Sequence, residues 1–93
     1  MTTKIDILKE VIEKGSKNQT LMVLESLEKN LDDDETVKAL ADPAVISNLH
    51  NMLEEHLGVN RRAMQLKARA INRKRRALLF LRAMQNGVKK LED

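Results

Sequence analysis

The run from Asn60 to Gln85 contains no acidic residue, no proline and no glycine, and it is rich in Ala, Leu, Met, Arg and Lys. These are strong helix formers and nothing inside the run breaks a helix, so the pattern predicts one continuous helix of about 39 Å. Wound at about 100° per residue, Ala63, Ala70, Ala77, Leu78, Leu81 and Met84 share one broad face, with Leu66 and Ile71 at its edges. Arg62, Arg69, Arg73 and Arg76 gather within about 60° of one another on a different face and form a row about 21 Å long. Planar guanidinium forks repeated along a rigid helix make a surface for anions, not an active site.

The residues before this run read as four shorter helices. Thr3 caps the first, with Asp6 at its third position and Ile5, Leu8 and Ile12 at helical spacing up to Gly15. Ser16 and Gln19 make a capping-box pattern ahead of Leu21, Leu24, Leu27 and Leu31, with Val23 beside that stripe. Asp33 or Asp34 caps a brief third helix through Val37 and Leu40. Asp42 caps a fourth, whose first residue is Pro43 and whose buried stripe is Val45, Ile46, Leu49, Met52 and Leu53. Gly58 closes or bends that helix, Asn60 is available as the next cap, and Gly87 marks the expected end of the long helix. The expected fold is therefore all-α: a small helical bundle with four short N-terminal helices packed on one long basic C-terminal helix. It is one domain, with an acidic short-helix half over residues 1–57 and the long helix and its tail over 58–93.

Around Leu40, Asp42, Pro43, Val45 and Leu49 a short stretch resembles the Asp-Pro repeat helices of co-chaperone domains. The same residues are also what ordinary helix capping requires.

With 93 residues and Phe80 as the single aromatic, the core must rest on Leu, Ile, Val, Met and Ala. So small a set of N-terminal helices leaves the apolar side of the long helix in need of cover, which points to self-association as a homo-oligomer, a dimer in the simplest case. Leu57, Met64, Ile71 and Leu78 recur every seven residues, but Lys67 and Lys74 would occupy the other core positions and exclude an ideal zipper. The absence of cysteine fits a reducing compartment, and no apolar run reaches membrane-spanning length, so the expected location is cytoplasmic.

Charge is divided unevenly along the chain. Residues 1–56 carry six Lys or Arg against twelve Asp or Glu, and residues 57–93 carry eleven against two, for the overall +3. Either an anionic partner meets the basic half, or the acidic half lies on it.

Chemistry beyond binding finds little support. Asp32, Asp33 and Asp34 lack the glycine and terminal glutamate of a calcium loop. His50 and Glu54 lie four apart, a spacing that brings two ligands together but not a metal site, and they read as a solvated pair. Ser16, Ser26 and Ser47 sit in no nucleophile elbow, and no glycine-rich loop cradles a phosphate. The expectation is a non-enzymatic protein without cofactor, metal or small-molecule substrate. Its function would be that of a regulatory or adaptor protein acting through helix-mediated contacts, with Arg62, Arg69, Arg73 and Arg76 meeting an acidic protein partner. The alternative is a nucleic-acid-binding protein that contacts the phosphate backbone through the same arginines. A membrane-surface role is disfavoured by the lack of Trp.

Overall fold

Each N-terminal helix begins where a side-chain oxygen replaces a missing backbone partner. Thr3 Oγ1 accepts the Asp6 amide at 3.1 Å and Asp6 Oδ2 accepts the Thr3 amide at 3.2 Å, a complete capping box that opens α1 (Lys4–Glu13). Ser16 Oγ accepts the Gln19 amide at 3.3 Å and opens α2 (Lys17–Lys29), while Gly15 between the two helices takes φ 71°. Asp33 Oδ1 accepts the Glu35 amide at 3.1 Å and opens α3 (Asp34–Ala41). Asp42 Oδ1 accepts the Ala44 amide at 2.9 Å and opens α4 (Pro43–Met52) with proline in its first turn. One π-helical turn, Leu53–Leu57, extends α4 before Gly58 ends it at φ 70°. The computed structural model describes residues 3–64 and 72–91, and no strand occurs among them.

The run expected to be one helix is not continuous. Asn60 Oδ1 accepts the Arg62 amide at 2.9 Å and precedes a 3₁₀ turn, Arg61–Met64. Asn72 is extended (φ −133°, ψ 167°) and its side chain accepts the Arg75 amide at 2.8 Å, so the long helix α5 starts afresh at Arg73 and runs to Lys89. The Cα positions extend 34 × 33 × 22 Å, less along each axis than the about 39 Å of an unbroken helix. The break lets Met64 and Phe80, both fully buried, enter the same core.

Gly87 does not stop α5. A Cβ there would lie 2.7 Å from Met64 Cγ and 2.9 Å from Val59 Cγ1, so glycine is what lets the segment after α4 lie directly against the helix. Asn86 Nδ2 donates to Ala63 O at 3.3 Å across that contact, and Lys17 Nζ donates to Leu91 O at 2.8 Å to fasten the end of the chain to α2.

The core is almost wholly aliphatic. Leu8, Ile12, Leu24, Leu40, Leu49, Leu53, Met64, Phe80, Leu81, Met84 and Val88 are fully buried, and α5 packs on α2 and α3. Within the expected stripe on α4, Leu49 and Leu53 are buried while Val45, Ile46 and Met52 are half-buried. Among the described residues, the apolar side of α5 is covered by α2 and α3, while Leu66, Ala70 and Ile71 of the expected stripe lie outside the described residues. Among the described residues, the large apolar side chains left exposed are Ile7 on α1 and Met22 on α2.

Candidate polyanion interface

Four consecutive cations, Arg73 to Arg76, make up the first turn of α5, and all four are exposed. Asn72 dictates this placement, because as N-cap it assigns the next residues to the helix end where free amides and the macrodipole are positive. Successive residues there point about 100° apart, so the four cations diverge around the helix. Arg73 and Arg76 face the junction of α3 and α4, where with Lys38, Ala41, Asp42 and Pro43 they line a cleft of about 400 Å³. Lys74 and Arg75 face α2, where with Arg82, Glu28 and the apolar floor of Leu31, Leu78 and Leu79 they line a second cleft of about 470 Å³.

The acidic half does not cover this surface. Lys74 approaches Asp32 Oδ1 only to 3.9 Å, with both side chains well exposed. Lys38 pairs with Asp34 at 3.5 Å in the same solvated way, and such pairs neutralise little. Arg73, Arg75 and Arg76 form no ion pair among the described residues, whereas Arg82 is held by Glu28 at 2.8 Å.

The four arginines singled out in the sequence are distributed differently. Arg73 and Arg76 stand together as expected, one turn apart. Arg62 lies in the 3₁₀ turn, exposed, and lines a separate cleft with Gly87 and Lys90 at the opposite end of α5. Arg69 lies outside the described residues. Lys38 joins Arg73 and Arg76 from α3, and no local pattern could have announced it, because only the packing of α3 on α5 brings them together.

His50 and Glu54 are not a pair. Glu54 meets Arg61 at 3.2 Å, and Arg61 also donates to Asn51 Oδ1. The His50 ring meets Phe80 edge-on, with centroids 5.2 Å apart and planes at 70°. Its Nε2 is buried without a partner among the described residues, and burial, with the Arg61 charge second, holds the imidazole below its ordinary pKa. Ser16 is occupied as a cap. Among the described residues no group of three or more His, Asp or Glu side chains is placed to hold a metal ion, and no helix is long and apolar enough to cross a membrane.

The arrangement is suited to holding an extended anion against a fixed array of exposed cations. In the comparisons with known proteins, no family model matches the chain, no curated protein matches its sequence, and no solved structure matches its fold.

Proposed function

We propose that this is a nucleic-acid-binding protein that contacts the phosphate backbone through the basic first turn of α5 and the cations beside it. The observation that carries the reading is the exposed, almost unpaired run Arg73–Arg76 at the positive end of a helix. A cation in that position is unfavourable by about 0.3–1 kcal/mol, the reverse of the usual gain, and four repel one another besides. The same chain places Asp6 in the first turn of α1 and Asp34 and Glu35 in that of α3, where the charge suits the dipole. A phosphate backbone would relieve both costs in α5, since helix N-termini and arginine forks are both phosphate ligands.

The test is a titration of the full chain with labelled DNA, RNA and polyglutamate at two salt concentrations. Nucleic-acid binding that weakens steeply with salt supports the proposal. Binding of polyglutamate with no binding of DNA or RNA at low salt would replace it with the adaptor reading, in which the same cations meet an acidic protein.

A further inference from the structure

The cations of the basic surface are not equally available. Arg73 and Arg76, in the cleft at the α3–α4 junction, form no ion pair among the described residues, and Asp42 there is engaged as the cap of α4. Lys38 beside them pairs with Asp34 along α3 at 3.5 Å. In the cleft between α5 and α2, by contrast, the acidic half answers Arg82 and Lys74 directly. Arg82 Nε donates to Glu28 Oε1 at 2.8 Å, and Lys74 Nζ stands 3.9 Å from Asp32 Oδ1. The two contacts differ in kind. The Glu28 side chain is only 28% exposed and its bond is short, whereas the Asp32 side chain is 93% exposed and its contact is at the limit of pairing. A carboxylate set partly below the surface holds a guanidinium more effectively than one in open water, because solvent and salt screen it less.

We infer that Glu28 is a built-in competitor of the nucleic acid: it holds Arg82 in the free protein and keeps a phosphate from that guanidinium, so that affinity is set below what the cations alone would give. This rests on the nucleic-acid reading above and adds the regulation of the same surface. Carboxylate and phosphate oxygens are interchangeable partners for a guanidinium fork, so Glu28 and a phosphate contend for the same donors. Glu28 stands on α2 while Lys74, Arg75 and Arg82 come from α5, and the competition is therefore between the acidic and the basic halves of the chain. Asp32 acts on Lys74 in the same sense, but weakly, because both side chains are well exposed. Arg73 and Arg76 stay open for the first contact, whereas Arg82 joins only when Glu28 gives it up.

The experiment measures binding of the full chain to labelled DNA and RNA over a series of salt concentrations, for wild type, E28Q, D32N and E10Q. Each variant loses one negative charge. Glutamine in place of Glu28 keeps the size of the side chain and an oxygen that can accept from Arg82, so the fold is preserved and only the charge is removed. Glu10 pairs with Lys14 on α1, outside the linings of both clefts, and serves as the control. E28Q should bind about two- to fivefold more tightly, within the range that an exposed ion pair is worth. On duplex DNA its slope of log K against log salt should steepen by about 0.9 as Arg82 gains a phosphate. D32N should gain less and E10Q least. R82Q added to E28Q should return affinity and slope to the wild-type values. A gain in E28Q no larger than in E10Q would show a general effect of charge, and would overturn the inference while leaving a nucleic-acid binder. A gain that persists when R82Q is added would overturn it too, since Arg82 would not be the group released. No binding of DNA or RNA by wild type or by any variant at low salt would overturn the broader proposal and this inference with it.

Discussion

His50 is the residue on which the pH response of the fold should turn. Its ring lies against Phe80 with Nε2 buried and unpartnered among the described residues, and burial disfavours the imidazolium, so the folded pKa lies below the unfolded value of 6.5. As pH falls past about 6.5 the unfolded chain takes up the proton first, and stability declines until pH passes below the folded pKa. Thermal melting of wild type from pH 7.5 to 5 should show that decline, and His50→Leu should flatten it, because the variant has nothing to protonate there. Equal slopes in the two proteins would assign the pH response elsewhere. Gly87 carries a second residue-scale prediction. Alanine would gain up to about 1 kcal/mol of helix propensity, but its methyl would press on Met64 and Val59, both buried, at an overpacking cost of about 1–3 kcal/mol. Gly87→Ala should therefore lower the urea midpoint, and a rise would mean that Met64 moves aside freely.

At the scale of the element, capping decides where helices begin and burial decides whether they continue. The caps at Thr3, Ser16, Asp33 and Asp42 were all readable in the sequence, because a short polar side chain ahead of an apolar period is a local signal. Asn72 was equally visible, but it sits inside a run of strong helix formers without the glutamate or glutamine of a capping box, and local propensity alone favours helix through it. Asn72→Ala should remove the bond to the Arg75 amide and cost about 1 kcal/mol in urea unfolding. Increased stability in the variant would mean that α5 gains by extending backward, and that the extended Asn72 backbone is imposed against the preference of the chain. The glycines divide in the same way: Gly15 and Gly58 stand at φ 71° and 70° where helices end, whereas Gly87 lies inside α5 because another segment crosses there.

For the whole molecule, the division of charge along the chain becomes a division in space. Pairs between the halves exist at Glu28–Arg82, Asp32–Lys74 and Glu54–Arg61, yet they leave Arg62, Arg73 and Arg76 exposed and unpaired among the described residues. Replacing Arg73 and Arg76 by Gln should weaken polyanion binding and lower its salt dependence, and shift stability by no more than about 0.5 kcal/mol, since nothing in the core leans on them. A large loss of stability in thermal melting would show that the arginines are structural.

Helix content, four of the five helix starts, the membership of most of the core and the basic character of the C-terminal half follow from the amino-acid order alone. Capping, periodicity and charge are all written within a few residues of where they act. Three things were decided only by the tertiary structure: the break before α5, the cover that α2 and α3 provide for its apolar side, and the separation of Arg62 from Arg73 and Arg76. Each depends on which distant segments reach one another, as when Lys38 meets Arg73 and Arg76 across a packed interface, and no local pattern in the chain encodes such an encounter.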